Sequence, residues 1–134
     1  MARVNDIIFC LRAINIDGQG ISANNILTAL NPEYIPGLFT FSIIITVVGI
    51  DKNLEHHIGI NFLEPSGIQL AVFNAPVPRV EDPSNIPEEY KGINLSLDLN
   101  NVDLKTEGLY ELQVEFDGQI IAKKTIYVKG KNQS

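Results

Sequence analysis

Residues 104–128 read LKTEGLYELQVEFDGQIIAKKTIYV. Within them Tyr110, Leu112, Val114 and Phe116 fall on one face, and Glu111, Gln113, Glu115 and Asp117 fall on the other. A period of two marks a half-buried strand, because successive side chains leave a pleated backbone on opposite sides. Asp117-Gly118 then closes a tight hairpin, since glycine takes positive φ without steric cost. Upstream, Leu104, Gly108 and Tyr110 have the spacing of a tyrosine corner. There a strand-entry hydroxyl bonds back to backbone, here near Leu104, and pins a Greek-key sandwich. One residue of the returning strand is awkward: Lys124 shares a face with Ile126 and Val128. A bulge at Lys123-Lys124 would return Ile121 to the core and keep the charge out of it.

The same pattern runs through the rest of the chain. In the segment 4–16, Ile7, Phe9, Leu11 and Ala13 share one face, and Asp6, Ile8, Cys10 and Arg12 share the other. Asp17-Gly18-Gln19-Gly20 turns the chain. Residues 21–30 fit either a short helix capped by Ser22 or a returning strand, and the short Gly-rich link favours the hairpin. Phe39, Phe41, Ile43, Ile45 and Val47 make 38–50 the central core strand. Residues 56–63 put Ile58, Ile60 and Phe62 inward. Glu64-Pro65-Ser66-Gly67 is a β-turn, and 68–73 returns beside them. Residues 74–92 hold Pro76, Pro78, Pro83 and Pro87. So many residues without a backbone donor predict a long loop. Ile93, Leu95, Leu97 and Leu99 then alternate with polar residues. The expected fold is all-β: a single antiparallel β-sandwich, Ig-like and Greek-key, of about eight strands over 1–129, with a polar tail at 130–134.

Composition narrows the function classes. A chain of 134 residues is about one domain, and 45% hydrophobic with 19% charged content is globular. The net charge of −6 disfavours a nucleic-acid footprint, which needs clustered basic residues. The local cluster Lys123, Lys124, Lys129 and Lys131 includes two residues set in a strand opposite acids. The run 7–11 is too short for a secretion signal, and 38–50 falls short of the roughly 18 residues of a membrane helix. With the single Cys10 no internal disulfide is possible. The expected setting is soluble and cytoplasmic, with no membrane and no nucleic acid as partner.

Four stretches carry a resemblance: IIFCLRAINIDGQGISANNI, PEYIPGLFTFSIII, FLEPSGIQL and EGLYELQVEFDGQIIAKKTIYV. In their order the chain resembles an uncharacterised bacterial family of small β-sandwich domains, a domain of unknown function. The likeness covers all but residues 74–92 and rests on turn and core residues. It implies that 21–30 is a strand, and it implies no functional residue.

Several constellations invite chemistry. His56-His57 with Glu55 and Glu64 suggests zinc, but neighbours on a strand point to opposite faces and cannot share one metal. An exposed strand start is the simpler reading. Cys10, with Arg12 on its face, has the makings of a reactive thiol, yet a cysteine among Ile7, Ile8, Phe9 and Leu11 packs as a small hydrophobe. Glu81-Asp82 and Glu88-Glu89 lie in a loop with nothing to raise a carboxyl pKa, so acid–base catalysis is not expected there. Asp17-Gly18-Gln19-Gly20 lacks the helix a phosphate loop needs. Asp98, Asp103 and Asp117 are candidate calcium ligands without a DxD-type run.

No enzyme, metal or cofactor is therefore expected. The leading expectation is a protein-interaction module, binding another protein through Glu81, Asp82, Ile86, Glu88, Glu89 and Tyr90, or by strand addition at an open sheet edge. The alternatives are a mobile-element-encoded inhibitor or accessory protein that binds a basic protein surface, and a structural subunit of a larger assembly. A homo-oligomer is compatible with all three.

Overall fold

The computed structural model describes residues 1–16, 20–78 and 85–132. Among them lie nine strands: β1 (Arg3–Ile16), β2 (Gly20–Ile26), β3 (Ala29–Leu30), β4 (Gly37–Val48), β5 (His57–Leu63), β6 (Gln69–Pro76), β7 (Gly92–Leu104), β8 (Gly108–Phe116) and β9 (Gln119–Val128). They form a four-stranded sheet in the order β2-β1-β4-β7 and a five-stranded sheet in the order β3-β9-β8-β5-β6. β4 and β7 neighbour each other in one sheet, and their successors β5 and β8 neighbour each other in the other. That crossing is a Greek-key sandwich, and the fold is the expected β-sandwich.

The inward faces of β5 and β8 and of β4 from Phe41 on are buried, whereas Ile93, Leu95, Leu97 and Leu99 of β7 are half-buried and Leu11 of β1 is exposed. Phe41, Ile43, Ile45 and Val47 of β4 meet Ile58, Ile60 and Phe62 of β5 and Tyr110, Leu112 and Val114 of β8. The Tyr110 ring stacks on Phe62 with centroids 5.7 Å apart, and its hydroxyl donates to the Thr106 carbonyl at 2.7 Å. The tyrosine corner is present, with its acceptor at Thr106, two residues from Leu104.

Residues 20–26 form a strand, the hairpin partner of β1, as the Gly-rich link and the resemblance implied, but the strand stops there rather than at residue 30, and Ala29–Leu30 join the other sheet as β3. The turn expected at Asp17-Gly18-Gln19 lies outside the described residues. Among the described residues β3 adds the one pairing that departs from an antiparallel scheme, lying parallel to β9. β6 continues through Asn74 and Ala75 to Pro76, so the connection to β7 begins three residues later than the prolines suggested. Pro76 ends an edge strand, where a missing donor does no harm. Near its far end the connection holds a 3-10 turn at Glu88–Tyr90. Gly130, Lys131 and Asn132 of the C-terminal tail donate backbone amides to the Glu107 side chain and the carbonyls of Pro32 and Glu33.

The bulge in the last hairpin is real but displaced. Val114 pairs with Ala122 and Glu115 with Ile120, so Ile121 is the extra residue rather than Lys123 or Lys124. Lys124 consequently stands opposite the buried Leu112, on the inner face. Its ammonium donates to the Ile7 carbonyl of β1 at 2.5 Å and sits 5.9 Å from the Phe9 ring centroid. The charge is satisfied at the lateral mouth of the sandwich, with its aliphatic stem over apolar surface.

Candidate functional site

The turns after β4 and β8 and the connection after β6 gather at one end of the sandwich. Backbone bonds tie them together: Val77 donates to His56 at 2.8 Å, Asp117 to His57 at 2.9 Å, and Gly49 to Lys91 at 2.9 Å. Between the β4–β5 turn and the start of the β6–β7 connection lies a pocket of about 370 Å³, whose lining includes Ile50, Leu54, His56, Val77 and Pro78.

His56 forms part of that lining, and its side chain is only 10% exposed. It is not the exposed strand start that its neighbours suggested. Its ring lies 4.9 Å from Phe116, centroid to centroid, and Nδ1 is 2.5 Å from Asp117 Oδ2 while Nε2 is 2.8 Å from the Asp51 carbonyl oxygen. Both partners accept, so both ring nitrogens donate, and the bonded state is the imidazolium. The Asp117 hydrogen bond raises the His56 pKa above its ordinary value, and the Asp51 carbonyl adds to the effect. Asp117 is held below the usual carboxylate range by the His57 amide, which donates to it at 2.9 Å, and then by His56. Such a ring is a structural cation, already engaged at both nitrogens. His57, the first residue of β5, is exposed.

The loop candidates divide. Glu81 and Asp82 lie outside the described residues. Ile86 and Tyr90 are 40% and 56% exposed, and Glu88 and Glu89 are exposed beside them. This segment is anchored. Lys91 is buried and its ammonium donates to Glu88 at 3.0 Å, while the Arg3 guanidinium lies 5.2 Å from the Tyr90 ring centroid. Gly92 follows because the backbone passes too close for anything larger: a Cβ there would stand 1.7 Å from the Val47 carbonyl oxygen.

The remaining candidates are dispersed. Cys10 is fully buried, and burial pushes its thiol pKa up, with the Asp98 carboxylate adding to the effect. Asp98 itself accepts from the Ser42 hydroxyl at 2.6 Å. Among the described residues no three His, Cys, Asp or Glu side chains converge as metal ligands, and Asp98, Asp103 and Asp117 are not brought together. Among the described residues no helix is long and apolar enough to cross a membrane.

On the opposite flank, the edges of the two sheets leave a groove of about 430 Å³ between β6 and β7. Ile60, Phe62, Ala71 and Phe73 line one wall, and Leu97 and Leu99 the other. No isolated residue type signalled this feature in the sequence; it follows from which strands end up at the edges.

These features define a small β-sandwich domain with a structured loop end and an open lateral groove. A family model described as a family of unknown function, DUF6941, matches residues 6–129, and the chain belongs to that family. No curated protein matches the chain. Matching solved structures include an immunoglobulin-like protein from Pseudomonas aeruginosa, 13% identical over 96% of this chain and 97% of that one, with a TM-score of 0.47. A β-glucosidase from Listeria innocua, solved in complex with isofagomine, is 10% identical over 91% of this chain and 16% of its own, with a TM-score of 0.42.

Proposed function

We infer that this domain is a non-enzymatic protein-interaction module that binds through the loop preceding β7. The observation that carries the reading is the pair Ile86 and Tyr90, 40% and 56% exposed on a segment whose downstream end is tied to β4. Apolar side chains held out by an anchored backbone lose little entropy on docking. Tyrosine buries its ring and still satisfies its hydroxyl. Glu88 and Glu89, with Glu81 and Asp82 in the same stretch of sequence, favour a partner with a basic surface, as does the chain's charge of −6. The inhibitor or accessory-protein alternative rests on the same acids.

The test is affinity capture from the source cells with the native chain and with an Ile86→Ser/Tyr90→Ser variant shown by circular dichroism to remain β. One protein enriched by the native chain and lost with the variant is the expected result. Equal enrichment by both would remove the loop as the binding surface, and enrichment of nothing would remove the interaction role. A complex that weakens steeply as salt is raised identifies the partner surface as basic.

A further inference from the structure

The two ring nitrogens of His56 hold two different turns. Nδ1 meets the Asp117 carboxylate of the β8–β9 turn at 2.5 Å, and Nε2 meets the Asp51 carbonyl oxygen of the β4–β5 turn at 2.8 Å. Both oxygens accept, so the pair of bonds exists only while the ring carries two protons. The side chain is 10% exposed and packs beside Phe116, which leaves water little access to replace a lost partner.

The charged and titratable groups around the ring come from three elements. Among the described residues, Asp51, Lys52 and Glu55 lie on the β4–β5 turn, His57 opens β5, and Asp117 stands on the β8–β9 turn. The end of β6 and the connection after it present Pro76, Val77 and Pro78, none of them charged. Asp117 and Asp51 both favour the protonated ring.

Loss of one proton forces a choice between the two turns. The carboxylate is the stronger acceptor, so a neutral ring keeps its proton on Nδ1. Nε2 then turns a lone pair toward the Asp51 carbonyl oxygen, and two acceptors 2.8 Å apart repel. The turn is the part that yields. Residues 51–55 are all exposed, and the amides of Asn53 and Leu54 donate to Asp51, so those bonds travel with the turn. Its two ends stay fixed. Ile50 is buried and Gly49 donates to Lys91, while the His56 carbonyl holds Val77 and the His57 amide holds Asp117. Residues 51–55 are also one wall of the pocket of about 370 Å³, facing Val77 and Pro78.

We propose that His56 is a proton-operated latch: the imidazolium clasps the β4–β5 turn and fixes the width of the pocket, and the neutral ring releases residues 51–55 and opens it. The latch needs no partner at the loop before β7, so it stands or falls separately from the interaction reading.

Nuclear magnetic resonance on the full chain, from about pH 5 to about pH 10, reads ring and turn together. Ring nitrogen shifts report the proton count and the tautomer, and amide relaxation reports the order of the turn. The expected result is a neutral His56 protonated at Nδ1. Order parameters over residues 51–55 should fall from about 0.85 toward about 0.6 with the same midpoint as the ring. Asp117→Asn should lower the ring midpoint and the turn midpoint by the same amount. His57→Gln, at the exposed neighbouring ring, should move neither. A turn that keeps its order while His56 titrates, a neutral ring protonated at Nε2, or a His56 that stays doubly protonated across the range would overturn the latch. So would a turn transition that vanishes with His57→Gln.

Discussion

Asp117 holds three roles at once. It takes φ 51 in the β8–β9 turn, accepts the His57 amide at 2.9 Å, and pairs with the His56 imidazolium at 2.5 Å. The His56 pKa is raised by folding, so its contribution is complete below the unfolded value of about 6.5 and is lost as pH rises through the folded value. The Asp117 pKa is lowered, so its contribution is complete above about 3.9 and is lost as pH falls through the folded value. Thermal midpoints measured across pH should therefore peak between these limits and decline on the alkaline side. Asp117→Asn keeps a good turn residue beside Gly118 and should flatten that alkaline decline; an unchanged profile would count against the ion pair. Tyr110 gives a second test. Tyr110→Phe leaves the Thr106 carbonyl without its 2.7 Å donor and should cost about 1–3 kcal/mol in chemical denaturation. Tyr110 was legible in the sequence because its partner lies four residues away. His56 was not, because its partners stand on two other turns that only the closed sandwich brings together.

At the scale of elements, period-two alternation located the long strands other than β2, since alternation is itself a consequence of burying one face. It failed where a single residue shifts the register. The returning strand could be given a bulge from the conflict between Lys124 and its apolar neighbours, yet the bulge lies at Ile121 and Lys124 remains inward. No rule of pattern anticipates that a lysine will find a carbonyl at Ile7 on the facing sheet. The extent of β6 was missed for a related reason: Pro76 looks like a loop residue until its nitrogen is placed on an edge. Gly92 tests the packing of elements directly. Gly92→Ala puts a Cβ against the Val47 carbonyl and should destabilise by about 1–3 kcal/mol, the usual range for overpacking. Gly20→Ala meets no neighbouring atom, and its cost should come from φ 92 alone. Urea denaturation of both variants would separate a steric cost from a conformational one; equal losses would contradict the close approach of β7 to β4.

For the whole molecule, composition and strand count led to the sandwich, whereas the surfaces that would serve function depend on which strands lie at the edges and which turns share an end. Those are properties of connectivity, and a linear pattern does not display them. Ile86 and Tyr90 could be named because apolar residues in a proline-rich stretch stand out. The groove beside β6 could not, because its residues read as ordinary core. Lys124 also rivets the two sheets together, since its ammonium on the Ile7 carbonyl ties β9 to β1. Lys124→Met should therefore loosen that flank and speed amide hydrogen exchange in β1, while exchange in β4 and β8 stays unchanged.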